Sequence, residues 1–141
     1  MIFRIITCTL GSVAFGVTMK VPKKSLFCVL IGSGMTSVIS VTLAEEYRDF
    51  IPCIISMLAL TVYSNLCAKI LRQPTTIILL PSAIPLLPGS YIYYSMLGAV
   101  NGDTAGFVEY GRATVLTGLG IAVGAILGGL VSEIINAVCR R

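Results

Sequence analysis

Histidine is missing from all 141 residues, and with it go the commonest general base and the commonest metal ligand. Charge is scarce as well: 11% of the residues are charged, against about 25% in a soluble domain. A water-facing surface cannot be made from so few. Only six acids occur, and none are paired inside an apolar stretch, which argues against two-carboxylate chemistry at membrane depth. The five cysteines, Cys8, Cys28, Cys53, Cys67 and Cys139, stand singly with no C-x-x-C pair, and read as small hydrophobes. No enzymatic activity, metal or cofactor is expected from this inventory.

What remains is oil: 56% of the residues are hydrophobic and the mean hydropathy is +0.95. Five apolar segments can be drawn, at about 2–19, 25–43, 50–70, 74–100 and 113–138, each near the 17–25 residues that a crossing helix needs. The expectation is one all-α integral membrane domain of about five transmembrane helices over residues 1–141, in the cell's plasma or inner membrane. The net charge of +4 does not signal nucleic acid, because the basic residues cluster at segment ends, where they act as topology signals.

Five crossings put Lys20, Lys23, Lys24, Lys69, Arg72, Arg140 and Arg141 on one side and only Arg4, Arg48 and Arg112 on the other. The positive-inside rule then places the N-terminus outside and the C-terminus inside. The acidic loop Glu45-Glu46-Tyr47-Arg48-Asp49 and the polar stretch 101–112 fall outside. An odd number of spans resembles half of an inverted-repeat carrier, so a partner chain is expected, and the order of any higher oligomer stays open.

The fourth segment contains Leu79-Leu-Pro81-Ser-Ala-Ile-Pro85-Leu-Leu-Pro88-Gly89-Ser90-Tyr91-Ile-Tyr93-Tyr94. Each proline removes a backbone donor and clashes with the carbonyl four residues back, and the residue before it is pushed toward extended geometry. A discontinuity between about Ala83 and Pro88 follows, with Ile84 and Leu87 outside the helical region. Bare backbone in lipid must be buried in protein or line a wet cavity. Pro88-Gly89-Ser90 reads as a helix restart whose amides at Gly89, Ser90 and Tyr91 point back toward the break near the bilayer midplane, a positive pole suited to a carboxylate. A kinked but continuous helix is the plainer alternative. Tyr94, one turn beyond Ser90, is a candidate cavity hydroxyl, and Tyr93 fits an interfacial belt.

Asn65 shares a helix face with Thr61 and is expected to find a partner across a helix interface or a polar ligand. Segment two carries small and hydroxyl residues, Gly32 to Ser40, whose ordinary use is close packing. Gly120, Gly124 and Gly128 form a doubled small-x-x-x-small motif for helix packing. Glu133, near the inner end of segment five and within reach of Arg140, and Asp103, just past segment four, are the candidate ion-coupling acids.

With Pro85-Leu-Leu-Pro88-Gly89-Ser90, then Tyr91 and Tyr94, and a Val21-Pro22-Lys-Lys turn after the first of five short spans, the sequence resembles the threonine/serine exporter family, as its small subunit or C-terminal membrane module. The resemblance implies proton-motive-force-dependent export of a small carboxylate metabolite, threonine, serine or a dicarboxylate such as succinate, together with a larger membrane subunit. It carries over Pro85, Pro88, Gly89 and Ser90 as substrate-binding positions. A non-transporting scaffold that stabilises the larger subunit is the alternative.

Overall fold

The computed structural model describes residues 2–44 and 50–139, and every regular element among them is helical. α1 (Ile2–Thr18), α2 (Lys23–Ala44), α3 (Phe50–Leu71), α4 (Thr76–Ser82), a 3₁₀ turn (Ile84–Leu86), α5 (Gly89–Asn101) and α6 (Thr104–Cys139) follow in order. The acidic loop 45–49 and Arg140 and Arg141 lie outside the described residues.

Five spans were expected. By length and apolarity three described helices qualify, α2, α3 and α6, and α4 with α5 makes a fourth if the bent pair is one span. The 17 residues of α1 stand at the lower edge of the crossing range.

One ladder organises the bundle. Gly120, Gly124 and Gly128 of α6 lie against Cys53, Met57 and Thr61 of α3, so closely that a Cβ on Gly124 would stand 2.9 Å from Met57 Cβ and one on Gly128 2.6 Å from Thr61 Cβ. The next rung is a hydrogen bond, Asn65 Nδ2 to Ser132 Oγ at 2.9 Å. Both sequences rise together along the ladder, so α3 and α6 are parallel. The chain between their facing ends must therefore travel back the full length of α3, and α4 and α5 supply that return.

Three helix ends share one turn. A 6→1 hydrogen bond closes each: Val21 N–H to Gly16 O at 3.1 Å, Gln73 N–H to Ala68 O at 3.0 Å, and Asp103 N–H to Gly98 O at 2.9 Å. The residue before each donor is left-handed, Lys20 (φ 55°), Arg72 (φ 52°) and Gly102 (φ 73°). Glycine takes this conformation freely, whereas other residues lose about 1–2 kcal/mol in it. A proline follows both cations by two positions, Pro22 and Pro74, and the next helix starts from it.

The polar stretch 101–112, expected as a loop, is almost wholly helix. Asp103 Oδ1 accepts the Gly106 N–H at 3.1 Å, an N-cap that starts α6 at Thr104, and nothing after it breaks the helix. α6 is consequently 36 residues long, roughly 54 Å at the usual helical rise. Its first half packs on α5, where Gly98 meets the backbone of Gly106 and Phe107, and its second half packs on α3.

Candidate functional site: a cavity at the helix break

The fourth segment is discontinuous. α4 runs through Pro81 to Ser82, a 3₁₀ turn follows, Leu87 is extended (ψ 131°), and α5 restarts after Pro88. The two helical arms are bent by 41°. Two details differ from the proline rules: Pro81 and Leu80 before it stay within α4, and Ile84, expected outside helical geometry, opens the 3₁₀ turn and accepts the Leu87 N–H at 3.1 Å. Pro85 sits where the turn needs no donor from it.

Around this break lies a cavity of about 350 Å³. Pro85, Leu86, Leu87 and Pro88 form one wall, with Ser90 and Tyr91 from the start of α5. Facing them are Ser37 and Ser40 of α2, Pro52 and Cys53 of α3, Ile5 and Cys8 of α1, and Thr117 of α6. Every long helix thus contributes. Because Ser40 and Val41 stand in the last turn and a half of α2 and Pro52 in the first turn of α3, the break lies toward one end of these helices and not level with their middle.

Polar groups in the cavity are hydroxyls and backbone. Ser40 Oγ donates to Ser37 O at 3.1 Å and Thr117 Oγ1 to Ala113 O at 2.7 Å. Ser37 is only 2% exposed, and its Oγ has no hydrogen-bond partner. A buried hydroxyl left unpaired costs about 1–3 kcal/mol, and Ser56 and Ser64 of α3 are unpaired in the same way. Segment two, expected as a packing face, also contributes Ser37 and Ser40 to the cavity lining. A sequence signal existed, the Gly32-to-Ser40 hydroxyl run, but nothing in it gave direction.

Of the expected substrate contacts, the structure brings Pro85, Pro88, Ser90 and Tyr91 to this cavity. Gly89 lies between them, exposed, and a Cβ there would meet nothing within 4 Å. Its amide is already taken by the Leu87 carbonyl at 2.8 Å, so it is not one of the open amides expected at the break. Tyr94 is elsewhere, its ring 5.5 Å from Tyr93 and 5.4 Å from Tyr110. Asn65 is also elsewhere: besides Ser132 it binds the Thr75 hydroxyl through Oδ1 at 2.9 Å. Asp103 is occupied as the cap of α6, and Glu133 is exposed on α6, its expected partner Arg140 being outside the described residues.

Three long apolar helices, with a further pair bent at a proline break beside a cavity of mixed apolar and hydroxyl lining, define a multi-pass membrane protein. The chain belongs to the threonine/serine exporter family: the family model described as "Threonine/Serine exporter, ThrE" matches residues 4–131. That makes it an exporter-type transporter. No curated protein and no solved structure matches it.

Proposed function

We propose that the chain is the small membrane subunit of an inner-membrane secondary carrier that exports small carboxylate metabolites, threonine, serine or a dicarboxylate such as succinate, and that it works with a larger subunit of the same family. The observation that carries this reading is the cavity of about 350 Å³ at the proline break, whose lining includes Ser37, Ser40 and Ser90. A carboxylate held there would lie before the first turn of α5, whose N-terminal dipole end favours negative charge. Ser37, Ser40 and Ser90 supply hydroxyls for the substrate's remaining polar atoms.

The proposed topology is five passes, with the N-terminus outside and the C-terminus inside. The parallel α3–α6 ladder supports it, since the intervening chain then forms a single return crossing. It puts the cavity toward the outer face. Export against a gradient would be driven by the proton-motive force. Because the Asp103 carboxylate caps a helix, Glu133 is the acid assigned to coupling. Its exposure on α6 fits a partner surface better than lipid, where a charged side chain is costly.

The test is exchange of labelled threonine, serine and succinate in sealed membrane vesicles carrying the chain with and without the larger subunit. Exchange of at least one solute, abolished by collapsing the proton gradient in net-export mode, is the expected result. Vesicles that hold both subunits in the membrane and exchange none of the three would overturn the reading.

A further inference from the structure

Each rung of the α3–α6 ladder joins residues 67 positions apart, which sets Thr117 level with Phe50, the first residue of α3. The part of α6 from Thr104 to Leu116 therefore rises past the end of α3, by roughly 20 Å at the usual helical rise. α5 accompanies it, and among the described helices α5 packs closely on α6 alone. The two make a hairpin that stands clear of the bundle.

Neither water nor lipid suits the whole of this hairpin. Met96, Val100, Val108 and Val115 are 62% to 83% exposed, and a patch of that kind is unfavourable in water. Glu109 and Arg112 are exposed as well, no ion pair holds either among the described residues, and lone charges are unfavourable in lipid. Arg112, expected in an outer loop, stands instead in the third turn of α6, so it is not a charge left at a helix end.

The placing of the two charges is specific. Ala105, Glu109, Arg112 and Leu116 form one stripe of α6, with Val108 beside it, and a hollow of about 610 Å³ separates this face from Phe50. At 3.6 residues per turn Ala105 and Leu116 lie near the midline of the stripe, with Glu109 about 30° to one side and Arg112 about 30° to the other. The positive-inside bias holds every copy of the chain in one orientation. A two-fold axis relating two copies must then run along the membrane normal, which pairs α6 with α6 in parallel. Under that operation the Glu109 side of one stripe faces the Arg112 side of the other, one helical turn away, and this happens twice. The face is self-complementary, as an isologous contact requires.

We propose that this face of the α5–α6 hairpin is the interface with a second copy of the chain, closed by Glu109 of each copy against Arg112 of the other. The inference rests on the single membrane orientation proposed above and adds a partner that the transport reading does not require. Val108 and Leu116 are covered in the same contact, so the apolar and the charged surface find cover together. The larger subunit is the rival occupant, but a dissimilar partner has no need of an acid and a base set symmetrically about one line.

The test is copurification of full-length chains carrying two different epitope tags, co-expressed with and without the larger subunit and recovered through one tag from detergent-solubilised membranes. Wild-type copies should copurify in both backgrounds. Glu109→Arg alone or Arg112→Glu alone should cut recovery tenfold or more, since like charges then face each other. The doubly reversed chain should recover itself, and Glu109→Arg copies should recover Arg112→Glu copies. Both side chains are exposed, so melting temperatures should match the wild type. Single reversals that copurify as the wild type does overturn the inference. So does recovery of second copies only when the larger subunit is present, which would make that subunit the occupant. Labelling of a C-terminal tag from outside intact cells defeats the proposed orientation and the two-fold with it. Copurification that obeys the charge swaps in vesicles without solute exchange supports the interface and defeats the transport reading alone.

Discussion

Asn65 and Ser132 are joined by a hydrogen bond of 2.9 Å across 67 positions of sequence, and the same offset relates Cys53 to Gly120, Met57 to Gly124 and Thr61 to Gly128. A constant offset means that α3 and α6 run parallel with matched i, i+4 rows, the small residues of one receiving the larger side chains of the other. This relationship determines the rest of the architecture. It requires α4 and α5 to run back along α3, and it fixes the start of α3 beside Thr117, where the cavity opens.

Gly124→Leu should loosen that ladder. A Cβ at Gly124 would already stand 2.6 Å from Ile54 O, and overpacking of this kind costs about 1–3 kcal/mol. Gly129→Leu, one residue past the row and open on all sides among the described residues, should change stability little. Unfolding in detergent, followed by helical signal against denaturant, compares the two; equal midpoints would contradict the ladder.

Asp103 separates a structural from a titrating role. Its carboxylate caps α6 through Gly106, and asparagine caps nearly as well, while alanine loses about 1 kcal/mol. Asp103→Asn should therefore keep both the melting temperature and the proton dependence of export, and Asp103→Ala should lower the melting temperature alone. Loss of proton dependence in Asp103→Asn would return the coupling role to this residue.

The break was legible because three prolines and a glycine act through local sterics, which need no tertiary knowledge. Leu87 is extended as the rule requires, whereas Ile84 and Leu80, the residues before Pro85 and Pro81, stay in helical turns. Polarity, by contrast, misled over 101–112: a capping aspartate and helix-compatible residues outweighed the charges of Glu109 and Arg112. The direction of the α2 serines was hidden for a different reason. In a helix apolar nearly all round, periodicity carries no inside or outside, so only the packed structure shows that Ser37 and Ser40 line the same cavity as Pro85 and Pro88. Asn65 was expected to bind either across a helix interface or to a ligand, and its hydrogen bonds run to Ser132 and Thr75.

Ser37→Ala removes a hydroxyl that has no partner in the folded chain. Its melting temperature should stay the same or increase, since an unsatisfied buried group is deleted, whereas the half-saturating substrate concentration at the cavity by the break should increase severalfold. A variant that is less stable and transports normally would show that the hydroxyl serves the fold.

The most direct measurement is exchange of labelled threonine, serine and succinate by Gly89→Leu beside wild type, with the amount of each protein in the membrane measured in parallel. Because nothing lies within 4 Å of a Cβ at Gly89, leucine can fold there, between Pro88 and Ser90 of the cavity lining and beside the proposed carboxylate position. The account predicts wild-type membrane levels with exchange reduced at least tenfold. Exchange at the wild-type rate through Gly89→Leu would contradict it.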